Sequence, residues 1–218
     1  MDKNDKRILV VAREHLFSEQ PAFQGFQDHV HYDYEAVILN HSTLRRRGDV
    51  EEDPFFKQPI AYSLIVNPSF AEVFVYQRAS HHKDYGEKRL QGKWSLGVGG
   101  HIEQPDLHNG NPIRTSSLRE LQEEVSILGS ITLNVLGYIN DDANPVGQVH
   151  FGILYLLETN ARTVVSNSPE MANGALYRFH DLTQMCSSPS YDFEEWSRIA
   201  LEPLKSYFLE RAHSRLEK

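Results

Sequence analysis

The chain has 218 residues, 40% of them hydrophobic, enough for one globular domain of good size or a domain with an extension. Its net charge of −8 argues against binding nucleic-acid polymers through their phosphates, and its single cysteine, Cys186, excludes an internal disulfide. No apolar run reaches the length of a membrane span and the first residues, MDKNDKR, lack the apolar core of a signal peptide, so a cytoplasmic protein with no membrane partner is expected.

In chain order, residues 7–12 (RILVVA) form a short, β-branched apolar run that predicts a first buried strand. Residues 15–33 show no clean period and are expected as loop with a short helix, while residues 34–44 predict a helix carrying Val37, Ile38 and Leu39 inward. Arg45, Arg46 and Arg47 precede Glu51, Glu52 and Asp53, two charge runs that are either solvated or meet each other. Residues 60–67 and 71–78 flank the turn signal Pro68-Ser69-Phe70 and predict an antiparallel hairpin. Residues 79–93 then make a polar, mostly basic connection. It leads to a short strand, residues 94–98, that ends in Gly99-Gly100, where backbone can approach a ligand closely.

Residues 115–128 carry Leu118, Leu121, Val125 and Leu128 on one face, the recurrence of an amphipathic helix. Thr115, Ser116 and Ser117 are plausible N-caps, and Ser117 with Glu120 has the capping-box spacing. Glu120, Glu123 and Glu124 stand at i, i+3, i+4, where like charges destabilise a bare helix by about 0.2–0.5 kcal/mol per pair, so the strip suits a cation. Carboxylate oxygens are hard ligands and favour magnesium, manganese or calcium over zinc. Arg119 can reach Glu123 at i+4. A solvated helix face with an ordinary Arg/Glu pair is the competing reading of the same residues.

Beyond the helix, residues 131–139 and 149–157 predict strands, with His150 solvent-facing or packed with a satisfied hydrogen bond. Residues 162–165 and 175–179 would close the sheet, and residues 191–213 predict helix, with Pro203 expected to kink or divide it. Phe193, Trp196, Ile199 and Ala200 repeat at helical spacing as a packing stripe, and Cys186 reads as a partly buried small side chain.

GGHIE followed by RELQEEVSI resembles the Nudix box, the signature of hydrolases that cleave a nucleoside diphosphate linked to another group. Gly100, Arg119, Glu120, Leu121, Glu123, Glu124 and Ile127 fit the family pattern. The interval from Gly100 to Arg119 is five residues longer than that pattern, so residues 104–112 carry an insertion, and the glutamate expected within it falls on Asp106 or Asn111 according to the direction of counting. Ser126 stands where the family has glycine, so the helix is expected to run on to Leu128 with Gly129 as its C-terminal cap. The strand WSLGVGGHIE and the later FEEWSR also resemble a little-characterised group of Nudix phosphoesterases, which names no substrate.

The resemblance covers about residues 58–182, leaving residues 1–57 as an N-terminal extension packed on the core and 183–218 as a C-terminal helical segment. It implies an α/β fold, an α/β/α sandwich with a mixed β-sheet, and a pyrophosphohydrolase that uses Mg2+ or Mn2+ on a small-molecule diphosphate. Glu120, Glu123, Glu124 and a backbone carbonyl of Gly99 or Gly100 would hold the metal, with Glu123 as general base, Glu103 as its rival and Arg119 orienting Glu123. A further acid would come from Asp141, Asp142, Glu158 or Glu170. Arg78, Lys83, Lys88, Arg89 and Lys93 lie just before the glycine pair, and Arg78, Arg89 and Lys93 are the expected phosphate contacts. A catalytically silent nucleotide-binding module and a small-diphosphate isomerase are the alternatives. An edge strand or the C-terminal helix could pair two chains into a homodimer.

Overall fold

The computed structural model describes residues 2–79, 90–108 and 110–216. The fold is mixed α/β, and the chain divides into two compact units. The first comprises Met1–Tyr62, Gly99–Glu120 and Val135–Tyr155, and the second Ser63–Val98, Leu121–Asn134 and Leu156–Lys218.

In the first unit, β1 (Arg7–Ala12) is the buried strand its β-branched run predicts. It pairs antiparallel with β3 (Ser42–Arg46) and with the start of β4 (Phe56–Asn67). Residues 15–33 are not simply loop: after α1 (Arg13–Leu16), β2 (Gly25–Asp28) pairs antiparallel with the end of β9 (Ile131–Asn140). The expected helix over residues 34–44 stops early. α2 (Tyr34–His41), capped by the Asp33 carboxylate, gives way to β3, because Ser42 to Arg46 satisfy their backbone on β1. Ile38 is buried as expected, but Leu39 is exposed. The arginine trio meets the acidic run in part: Arg46 pairs with Asp5 and Asp49, and Arg47, in α3 (Arg47–Val50), with Glu51.

An aromatic core closes this unit. Tyr34 packs among Phe17, Phe23, Tyr32, Tyr138 and Phe151 with centroid separations of 4.7–6.0 Å. Beside α5 (Pro145–Val149) and β10 (His150–Thr159), the fully buried Lys57 ammonium donates to Asp142 at 2.8 Å and to the carbonyls of Gly147 and His150 at 2.7 and 3.1 Å. Burial pushes its pKa down to about 8 against the pull of Asp142.

In the second unit, β5 (Glu72–Arg78) pairs antiparallel with the end of β4 across the expected hairpin turn, where Ala71 takes a φ of 51°. β5 also pairs with β6 (Trp94–Ser95) and β12 (Met171–Arg178), and α6 (Phe179–Ser187) follows. The C-terminal α7 (Glu195–Leu216) runs as one helix through Pro203 rather than as two. It begins four residues later than expected because residues 192–194 hydrogen bond to Trp94 instead.

The helix that carries the glutamates departs from expectation at both ends. α4 spans Pro112–Glu124. Its cap is Asn111, whose Oδ1 accepts from the amides of Ile113 and Arg114 at 2.9 and 3.2 Å, with proline in the first helical position. Ser116 and Ser117 are therefore buried inside the helix rather than capping it. At the other end Val125–Ile127 leaves the helix as β8 and pairs with β11 (Val164–Ser166), fixed by a 2.8 Å bond from the Asn167 amide to the Glu124 carbonyl. Leu128 is exposed, and Gly129 packs against Asn160 and Ala161 instead of capping a helix. Ser126 lies in this strand, where no left-handed backbone is required.

Candidate active site

β7 (Gly97–His101) delivers the glycine pair. A Cβ on Gly99 would lie 1.8 Å from the Ala61 carbonyl oxygen, so that position packs backbone against backbone. Gly100 serves another purpose: a Cβ there would meet the Glu120 carboxylate oxygen at 2.4 Å, and glycine is what lets that carboxylate lie against the chain.

Arg119 fixes Glu120 in turn. Its Nη1 donates to Glu120 Oε1 at 2.7 Å, while Nε and Nη2 each donate to Asp106 at 2.9 Å and Nη2 also reaches the His101 carbonyl at 3.0 Å. Arg119 thus orients Glu120, a partner that its i+4 spacing to Glu123 did not suggest. Asp106 is 2% exposed and also accepts from the Glu103 amide at 2.8 Å. Bonding to Asp106 above all, opposed by burial, raises the Arg119 pKa further above its ordinary value. Sequence reasoning weighed Asp106 only as the displaced box glutamate. Its place in a 3-10 turn, Gln104–His108, opposite a helix arginine is a through-space pairing that no local period announces.

The other acids are placed as follows. Glu123 is exposed and Glu124 half-buried on the same helix. Glu103, the rival base, is paired with Lys6 at 2.7 Å. Of the further acids, Asp142 is held by Arg13 and Lys57, Asp141 by Gln24, and Glu158 by Arg211. Burial alone would raise the Asp142 pKa, but the bonds from Arg13 and Lys57 prevail and hold it well below the carboxylate range. His101 packs edge-on against His150, with its Nε2 3.3 Å from that of His150 and 2.7 Å from Gln58 Oε1, so His150 is packed rather than solvent-facing.

Of the expected phosphate contacts, Arg78 is held by Glu194 at 2.7 Å and Lys93 faces Asp192 at 3.4 Å. Arg89, with Lys83 and Lys88, lies outside the described residues. Cys186 is in α6, and burial pushes its thiol up to about 11, which suits a packed side chain better than an isomerase acid.

Among the described residues no three His, Cys, Asp or Glu side chains form a ready metal cage. The donors nevertheless fit a hard divalent cation: the helix bears three carboxylates at i, i+3, i+4, and Glu120 is set against the bare Gly100 backbone. They are carried on one element but not preassembled. Among the described residues no helix is long and apolar enough to cross a membrane.

No protein-family model matches the chain. It is 34% identical to Protein YmaB of Bacillus subtilis (strain 168) over 215 residues, 94% of this chain and all of that protein. Among solved structures it is similar to Tm1382, described as "a putative Nudix hydrolase", with a TM-score of 0.73 and 27% identity over 91% of this chain and 98% of the other. A NUDIX hydrolase from Alicyclobacillus acidocaldarius shares the fold at a TM-score of 0.54 and 13% identity, covering 68% of this chain and 90% of that one.

Proposed function

We propose, from the premise that the chain belongs to the Nudix hydrolases, that it uses a divalent metal and water to cleave a diphosphate linkage in a compound of the nucleoside diphosphate-X type. The observation that carries this reading is the linkage Asp106–Arg119–Glu120 seated on Gly100, which holds one helix carboxylate in a fixed pose on the strip with Glu123 and Glu124. Such a carboxylate strip is costly unless a cation is bound to it.

Glu120, Glu123 and Glu124, with a carbonyl of Gly99 or Gly100, would hold magnesium or manganese. When bound, the ion supplies neutralisation of the phosphate charge and polarises the attacking water. Arg119 keeps the Glu120 carboxylate against Gly100, where it can join the carbonyl there in holding the ion. Glu123 accepts the proton of the attacking water; its exposure leaves it room to do so, whereas Glu103 is engaged with Lys6. Arg78 and Lys93 supply cationic contacts to substrate phosphates.

Phosphate release from a panel of nucleoside diphosphate compounds in magnesium tests the reading. Glu123→Gln is expected to lower kcat by about 10²–10⁴-fold with the melting temperature unchanged. Turnover by the variant at the wild-type rate, or no turnover of any diphosphate by the wild type, would refute it.

A further inference from the structure

The start of α4 is held by a residue far outside the box. Glu35 stands half-buried in the first turn of α2, and its Oε1 accepts from Asn111 Nδ2 and, at 3.3 Å, from the Tyr155 hydroxyl. Burial first, and then the Glu35 charge, push the Tyr155 pKa up, so that hydroxyl stays protonated and donates. The Glu35 amide donates in turn to the Tyr138 hydroxyl at 3.3 Å, and that hydroxyl to Asp33 Oδ1, the cap of α2, at 3.3 Å. All these residues, and α4 as far as Glu120, belong to the first unit.

A side-chain amide has one accepting end and one donating end. Asn111 spends its Oδ1 on the α4 cap, accepting from Ile113 and Arg114, so its Nδ2 must face a partner on the other side. An ionised carboxylate can only accept, and Glu35 therefore fixes which way the amide is turned. A flipped amide would set its oxygen against Glu35 and its NH2 against the helix amides. The Asn111 carbonyl also accepts from the Thr115 amide and hydroxyl, both at 3.0 Å, one helical turn ahead of Arg119. Such a clamp has a use here, because α4 is fed by the inserted loop, whose Gly110 takes a φ of 75° directly before Asn111.

We infer that Glu35 is a positioning residue for the metal site: by holding the Asn111 amide it fixes the start of α4, and with it the pose of Glu120 against Gly100. The inference rests on the metal reading above and adds that a residue outside the stretch resembling the box takes part in building the site without touching the ion.

Electron paramagnetic resonance of manganese titrated into the full chain, well below its melting temperature, reads the site without turnover and is not moved by a mere loss of stability. Asn111→Asp separates capping from clamping: aspartate caps as well as asparagine and its charge suits a helix N-terminus, yet it sets a second carboxylate against Glu35. It should weaken manganese binding about tenfold, whereas a role limited to capping predicts wild-type affinity. Adding Glu35→Gln reverses the bond, the new amide donating to the new carboxylate, and should bring affinity back to within about threefold of the wild type. Glu35→Ala should weaken binding about threefold to tenfold, and serves if Asn111→Asp does not fold. Wild-type affinity in Asn111→Asp or, if that variant does not fold, in Glu35→Ala would overturn the inference and leave the metal reading standing. No recovery in the double variant would overturn it too, and no manganese binding by the wild type would overturn both. A wild type that binds manganese with these variant effects but hydrolyses no diphosphate would sink the hydrolase reading and leave the positioning role in place.

Discussion

The two ends of helix α4 are built on different terms. From Asn111 to Glu120 the helix is locked: its cap, its buried serines and the Arg119 guanidinium are all bonded inward, to Asp106 and the His101 carbonyl among others. From Glu123 to Ser126 it opens, with an exposed glutamate and a strand in place of a last helical turn. Rigidity is concentrated around Glu120 and freedom is left around Glu123, as the proposed roles of the two carboxylates require. The contrast predicts that the largest losses of stability come from substitutions around the first end, and that those at the second cost little stability.

The harshest way to break the locked end is Gly99→Ala, whose Cβ would meet the Ala61 carbonyl carbon and oxygen at 2.9 and 1.8 Å. Backbone cannot yield as a side chain can, so more than about 4 kcal/mol of stability should be lost in urea unfolding. Asp106→Ala comes next: it leaves Arg119 without its main counter-charge and should cost about 3 kcal/mol by the same measurement.

Gly100→Ala differs in kind, because its clash is with the tip of Glu120 rather than with backbone. Stability should change by no more than about 1 kcal/mol, while the magnesium concentration for half-maximal activity rises about tenfold. His101 gives the locked end a pH signature. Its burial, with the charges of Arg47, His150 and Lys6 nearby, holds its pKa well below the ordinary 6.5. The unfolded chain then takes up the proton first, so stability should be intact above the unfolded value and fall progressively as pH drops below it. Unfolding measured across that range should show a shallower decline in His101→Asn. The smallest effect belongs to the open end: Ser126→Gly restores the family residue but in a strand, and should lose about 0.5–1 kcal/mol with activity unchanged.

The same division governs what the sequence reveals. Glu120, Glu123 and Glu124 announce themselves because their chemistry and their helical spacing lie in one continuous stretch. Asp106 and Glu194 do not: the first meets Arg119 across an inserted turn, and the second meets Arg78 from 116 residues away. β2 and β3 are hidden for a related reason, since Gly25–Asp28 and Ser42–Arg46 are polar segments made into strands by the partners they pair with. Val125 to Ile127 continues an apolar helical period and still becomes a strand, because β11 satisfies its backbone. Local pattern announces the glutamate helix; its boundaries and its supports are tertiary.

If the glutamates of α4 bind a divalent metal, as proposed, manganese titrated into the protein and followed by electron paramagnetic resonance will report it. The wild type should take up the ion, and Glu120→Gln combined with Glu124→Gln should weaken that uptake at least about tenfold while the fold persists. Equal manganese affinity in the wild type and the folded double variant would contradict the account.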